Sequence, residues 1–225
     1  FTPATFPGNT QTNLDAEVDT TLIQAGITSR PMTGLSLLGN FRYEDRDDKT
    51  PRFQYISASS GRDGFNRPFS RTSTSAKGEA AYQLQNDLRL VGGIDYEKRK
   101  RSVLSIRQAS WREDNDETTL RVEARRTLSE TLNGGVALLY ADRNGSNYLP
   151  ANNSTANDLV DPVHFADRKR TKLRASSDWV PMEALSLQML LDFSRDNYDT
   201  RALGPQEGKA TSVSFDANYV FAEAK

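Results

Sequence analysis

The residue types that most often do chemistry are sparse in this 225-residue sequence. There is one histidine and no cysteine. His164 stands near Pro162 in a long polar stretch. A lone imidazole there reads as a surface or loop-packing group, with metal or haem contact as the chemical alternative. With the one histidine in a variable loop, no serine–histidine–aspartate grouping is credible. Without cysteine, this stretch has no disulfide, no thiolate metal site and no C-x-x-C-H haem attachment. Asp45, Asp47 and Asp48, and Asp196 with Asp199, offer hard oxygen donors of the kind that bind Ca²⁺. The EF-hand spacing is absent, and acidic loop residues are ordinarily just solvated. Gly92-Gly93 and Gly134-Gly135 lie in strand-like runs and not before helices, so they mark curvature or a close neighbour and not a phosphate loop. The expectation is no catalytic residue, no cofactor on this chain, no metal site and no enzyme.

What remains is charge at every second position. Arg42, Glu44, Lys77, Glu79, Arg89, Asp95, Arg121, Glu123, Arg125, Lys172, Arg174, Asp178, Asp192 and Asp216 all alternate with apolar residues. Their chemistry is that of a wet, mixed-charge wall that pairs ions and can front a polar partner.

Strands must position them. Arg30-Pro31-Met32-Thr33-Gly34-Leu35-Ser36-Leu37 is echoed by Val180-Pro181-Met182-Glu183-Ala184-Leu185-Ser186-Leu187. Two further copies begin at Leu88 and Leu132, so the copies start 53, 44 and 53 residues apart. In each, an apolar residue recurs at every second position for eight residues and ends on an aromatic, which is the signature of a repeated hairpin with a variable outer loop. A second alternating strand precedes each later copy. Ala76, Ala80, Tyr82 and Leu84 lie on one face; so do Leu120, Val122, Ala124 and Leu128; so do Leu173, Ala175 and Trp179. Val213 to Phe221 forms the last strand. Nine amphipathic strands result. The first is less clean: Leu14, Ala16 and Val18 give way to Ile23, Ala25 and Ile27 in the other phase, which a bulge or a change of environment would explain. Arg126 stands among the apolar residues near a turn. Short turns fall near 30–34, 85–87, 129–131 and 181–184. Long polar loops fall at about 46–72, 98–117, 143–168 and 195–209, the loop at 143–168 reading as a solvated surface loop.

Bulk composition narrows the class. Hydrophobic residues make up 36%, and the net charge is -1. No apolar run approaches the roughly 18 residues of a membrane helix. The near-neutral balance gives no reason to expect a nucleic-acid partner. Period-2 alternation fits either a soluble sandwich or a membrane barrel. Three features favour the barrel. Tyr43, Tyr96, Tyr140 and Phe193 mark the long-loop end of every copy, and Tyr82, Trp179, Tyr219 and Phe221 mark the short-turn end, as membrane-interface aromatics do. Eight residues tilted by about 40° cover roughly 20 Å, close to a ~25 Å apolar band. The other face carries both charge signs on nearly every strand, more than a small closed core could hydrate. The fold class expected is all-β: a transmembrane up-and-down antiparallel β-barrel, with about nine strands of a larger barrel in a single segment spanning 1–225. The odd strand number, the absence of an initiating Met and of a terminal barrel aromatic, and the turn-like end at Phe221–Lys225 all read as an excised piece.

Arg42-Tyr43-Glu44-Asp45-Arg46-Asp47-Asp48-Lys49-Thr50-Pro51 resembles the strand-to-loop signature of the MtrB/PioB family of decahaem-associated outer-membrane barrels. Asn66-Arg67-Pro68-Phe69-Ser70, Asp142-Arg143-Asn144-Gly145-Ser146-Asn147-Tyr148 and Phe165-Ala166-Asp167-Arg168-Lys169-Arg170 resemble further landmarks in the same order. The resemblance covers nearly the whole chain. It implies a porin-like sheath in the bacterial outer membrane, with lipid bilayer outside. A periplasmic multihaem cytochrome would lie inside and meet an outer-surface cytochrome. Haem is then expected on the partner, and the wall insulates and positions it. The alternatives are a general porin, a plugged transport receptor and a soluble β-rich binding protein.

Overall fold

Alternation of small or β-branched residues with charged ones leaves few stable choices besides paired strands. The computed structural model describes residues 13–56, 64–85, 87–103, 107, 110–151, 160–199 and 203–221. Its strands are β1 (Val18–Met32), β2 (Leu35–Asp48), β3 (Gln54–Ile56), β4 (Gly64–Phe65), β5 (Arg71–Gln83), β6 (Leu88–Arg101), β7 (Asp114–Ser129), β8 (Leu132–Gly145), β9 (Asp167–Met182), β10 (Leu185–Asp199) and β11 (Glu207–Tyr219). Nine of them form one antiparallel meander in chain order, β1-β2-β5-β6-β7-β8-β9-β10-β11, with β3 and β4 a separate small hairpin. Among the described residues the sheet is open, its edges being β1 and β11.

The strands outrun their expected lengths. The long connections shrink to 49–70, 102–113, 146–166 and 200–206, because pairing continues past the aromatic row at each strand top. At the bottom, Pro31 and Pro181 lie inside β1 and β9, beside register shifts at Ser29/Met32 and at Leu185/Leu187, and not in the turns themselves. A proline donates no ladder hydrogen bond and is tolerated where the ladder is already broken. The tight turn after β1 is Thr33-Gly34, with Gly34 at φ 81°, a conformation that suits glycine. The phase slip expected in the first strand has no bulge behind it, since β1 and β2 pair without interruption from Val18 to Ser29. Ile23, Ala25 and Ile27 share the outer face with Tyr43, Phe41 and Gly39, whereas Val18 lies near the strand's top on the other side. Leu14 and Ala16 lie ahead of β1, with Asp15 between them at φ 48°, so most of the earlier phase is not strand at all. Leu84 and Phe221 fall just past their strands. The turn-like end at Ala222–Lys225 lies outside the described residues.

Register ties the aromatic rows together. Each upper aromatic faces a threonine on the next strand: Tyr43 opposite Thr74, Tyr96 opposite Thr118, Tyr140 opposite Thr171 and Phe193 opposite Thr211. Aromatic and β-branched side chains pack well as cross-strand pairs, worth roughly 0.2–1 kcal/mol each. Followed along the rungs, each aromatic lies two residues below the preceding one for every two strands crossed. The lower row obeys the same step through Tyr82, Arg126, Trp179 and Tyr219. An offset of two residues (about 6.6 Å) over two strand spacings (about 9.6 Å) is a tilt of about 35°. Rows that drift in the sheet's frame are therefore level in a membrane's frame. Arg126 occupies an aromatic-row position, at headgroup height, where a guanidinium costs little.

Burial is inverted relative to a soluble protein. On the apolar face, Ile27 is 71% exposed, Val122 66%, Val213 66% and Phe215 64%. On the polar face Ala81, Val91, Ala137 and Ala141 are buried. Several have long charged rung partners: Glu123 opposite Val91 and Ala137, Arg174 opposite Ala137 and Arg170 opposite Ala141. A sandwich would cover the apolar face with a second sheet; among the described residues only β3 and β4 form one, and it has two short strands.

Val136 lies midway between the rows on the exposed face. Val136→Arg is expected to lower stability by about 2–4 kcal/mol in phospholipid vesicles. Urea unfolding followed by tryptophan fluorescence measures it, and an unchanged midpoint would mean that this face does not contact lipid.

Candidate functional site

The fourteen alternating charges fall on one face. Cross-strand rungs place Arg42, Glu44, Lys77, Glu79, Arg89, Asp95, Arg121, Glu123 and Arg125 on the side opposite the aromatic rows of β2 to β7. Lys172, Arg174, Asp178, Asp192 and Asp216 continue that side through β9 to β11. Strand geometry alone does this, because paired residues in a ladder point the same way.

Much of the face is locked by ion pairs. Arg174 forks onto Asp192, Nε to Oδ1 at 2.8 Å and Nη2 to Oδ2 at 3.0 Å, and Lys172 reaches the same carboxylate at 2.8 Å. Arg121 bridges Glu79 and Glu123, and Arg125 takes the other oxygen of Glu123. Lys77 meets Asp95 at 3.4 Å, and Arg42 meets Glu44 at 2.6 Å. Arg89, Asp178 and Asp216 form no ion pair among the described residues. Of these pairs Arg174–Asp192 is bidentate, which fixes direction as well as charge. Two glycines make room on this face. A Cβ on Gly93 would come within 3.4 Å of the Arg121 Nε, and one on Gly135 within 3.4 Å of the Arg125 stem.

Sequence reading missed part of the face. Glu117, Arg143, Arg168, Arg170 and Asp196 share it. Arg170 forks onto Asp196 with both contacts at 2.6 Å, and Arg168 donates to Glu117 at 2.7 Å. Most of these residues fall in the stretches expected to be loop. Continuing the alternation past each upper aromatic finds them. Asp196, a candidate Ca²⁺ donor, is therefore committed to arginine. Asp45, Asp47 and Asp48 are engaged by Thr72, by Ser70, and by Thr50 with the Phe69 N–H.

Among the described residues the long-loop end is a packed cap, including the described parts of 143–168, which composition reads as a solvated surface loop. Trp111 lies edge-on to Phe69 and Phe165, with centroids 6.1 and 5.0 Å apart. Phe165, Ala166, Asp161, Ser110 and Arg112 are buried. Arg112 pairs with Asp167 and donates to the Phe165 carbonyl at 2.9 Å. Arg143 rises from the polar face of β8 and donates to the carbonyls of Ala166 (2.9 Å) and Val163 (2.7 Å). The turn 163–166 is thus drawn toward the charged side of the sheet. Bridges from Trp111 to Leu149 and from Val160 to Leu203 tie three connections together. The His164 ring lies against Phe165, centroids 3.9 Å apart and planes tilted by 52°. Burial, with the guanidinium charges of Arg101 and Arg143, holds its imidazole below the usual histidine range.

Comparison with known proteins agrees with this architecture. The family of outer membrane beta-barrel porins described as MtrB/PioB matches residues 1–225. Outer membrane protein MtrB of Shewanella baltica (strain OS185) is 28% identical over 216 residues, covering 93% of this chain and 30% of that protein. The outer-membrane expressed OmpT of Vibrio cholerae aligns with a TM-score of 0.52 over 89% of this chain and 56% of that one. At 8% identity that likeness concerns the fold alone.

Asp192→Asn leaves two cations of the inner face underpaired and is expected to destabilise the protein by about 1–3 kcal/mol. Asp216→Asn, at a site with no ion pair, serves as the near-neutral control in the same urea titration. The cap is expected to be acid-sensitive. The packed cap lowers the His164 pKa from the free-imidazole value of about 6.5, so the released imidazole binds a proton more readily. Cap stability is therefore full above that pH and falls as pH drops below it. Protection of the amides of 160–168, taken relative to the base-catalysed intrinsic rate at each pH, should fall between pH 7.5 and 5, and His164→Asn should flatten that dependence.

Proposed function

Because the chain belongs to the MtrB/PioB family of outer-membrane β-barrel porins, we propose that it supplies part of the wall of a porin-like sheath enclosing a multihaem c-type cytochrome in the outer membrane. Electrons would then cross the membrane along the partner's haems toward an outer-surface cytochrome. The observation that carries this reading is the polar face: a mosaic of both charge signs crossed by ion pairs, which suits a folded polar surface. Its outward face is apolar and bounded by aromatic rows, which suits lipid. Haem belongs to the partner on this reading, since the chain has no cysteine for covalent attachment.

The wall needs more strands than these. At bilayer depth each unpaired backbone N–H or C=O costs several kcal/mol, so β1 and β11 cannot both face lipid as bare edges. The chain spans 30% of the length of its MtrB relative, which leaves room for the strands that would complete a barrel.

A second reading is an open porin or plugged receptor. The cap that turns toward the charged side favours it, because an inward loop is how a pore narrows its mouth. The full-length protein separates the two. Affinity purification is expected to bring down a haem-staining partner at near-unit stoichiometry. A native complex without haem that conducts small ions in planar bilayers would overturn the sheath.

A further inference from the structure

The cap and the wall meet at a point where cations outnumber acids, with five arginines (Arg99, Arg101, Arg143, Arg168, Arg170) facing three carboxylates (Glu97, Asp114, Glu117). Arg101 at the top of β6 and Arg143 on β8 are two strands apart, yet both reach the turn 163–166. The Arg101 guanidinium lies 4.9 Å above the Phe165 ring. Its Nη1 is buried and has no hydrogen-bond acceptor. Arg143 is 9% exposed and spends two donors on backbone carbonyls. Among the described residues neither guanidinium has a carboxylate within 4 Å. The two are close enough to repel each other, and His164 feels both. The groups facing the junction are Arg99, Glu97 and Asp114 around Arg101, with Glu117, Arg168 and Arg170 around Arg143. The Glu117 charge is already taken by Arg168, and that of Glu97 by Arg99.

A half-buried cation with an orphaned donor is costly unless an anion completes it. The aromatic ring beneath Arg101 offsets part of that cost, but it leaves Nη1 without an acceptor. We propose that the junction of Arg101, Arg143 and the 163–166 turn is a binding site for an oxyanion, a carboxylate or phosphate group, that fastens the cap to the wall. The guanidinium fork suits either group, which offers two or more acceptor oxygens in a plane. The site is independent of what fills the barrel: a solute, a lipid phosphate or a partner's carboxylate could bring the anion.

The test uses the full-length protein in detergent and follows hydrogen exchange of 99–103 and 160–168. Sodium phosphate and sodium succinate are each compared with sodium chloride at equal ionic strength and pH 7.5. Slowing of at least about threefold by one of them is expected, and which one acts identifies the chemical class. Arg101→Gln should abolish the slowing, measured against that variant's own chloride baseline, while the cap keeps its Arg112 and Arg143 anchors. Arg101→Lys, which keeps the charge but loses the fork, should retain only part of it. No slowing by either salt, or equal slowing in Arg101→Gln, would overturn the site.

Discussion

Neighbouring strands of this wall are offset by one residue each, and the remaining features depend on that offset. A strand in a bilayer must hold its apolar stretch at one height, yet its hydrogen bonds fix it to neighbours residue by residue. Both demands are met only if the sheet is sheared, so that a level row in the membrane becomes a drifting row in the sheet. The drift of Tyr43, Tyr96, Tyr140 and Phe193 by two residues per hairpin is that shear made visible. It also sets the tilt, near 35°. The same arithmetic gives Arg126 its place at the lower edge of the band.

With the outer face committed to lipid, the inner face must accept everything polar. Charges there cannot be spread at will, because each guanidinium shields its neighbours from water. Cross-strand forks such as Arg174 with Asp192 and Arg170 with Asp196 settle the problem locally. They also place short residues where long ones need room, as at Gly93 and Gly135. An ion pair of this kind adds little to stability beyond what apolar packing would give. Its value here is a charged surface of defined shape.

The cap extends the same logic upward. Above the aromatic rows the strands no longer touch lipid, and their connections can pack on one another. Trp111, Phe69 and Phe165 provide a small apolar centre, while Arg112 and Arg143 satisfy carbonyls that the loops leave unpaired. Phe165 sits between the two systems, against Trp111 on one side and under Arg101 on the other.

Alternation is a local property, and it was enough to define the nine wall strands, the tight turns, the aromatic rows and the shared face of all fourteen charges. The repeated hairpin starts were equally legible, since each depends on a few adjacent residues, whereas Pro31 and Pro181, read as turn residues, lie inside strands. Strand tops were misjudged because polar residues above a membrane alternate with other polar residues, so the pattern fades while pairing goes on. Partnership between distant residues was out of reach. Thr74, Thr118, Thr171 and Thr211 carry no mark in the sequence of the aromatics they face, and nothing near Glu79 announces Arg121. Those pairings exist only once register is set, and register is a non-local outcome of turn geometry and lipid depth acting together. The inward cap is more non-local still. The sequence determined what each strand shows to oil and to water; the tertiary structure alone decided which charges meet and where the loops come to rest.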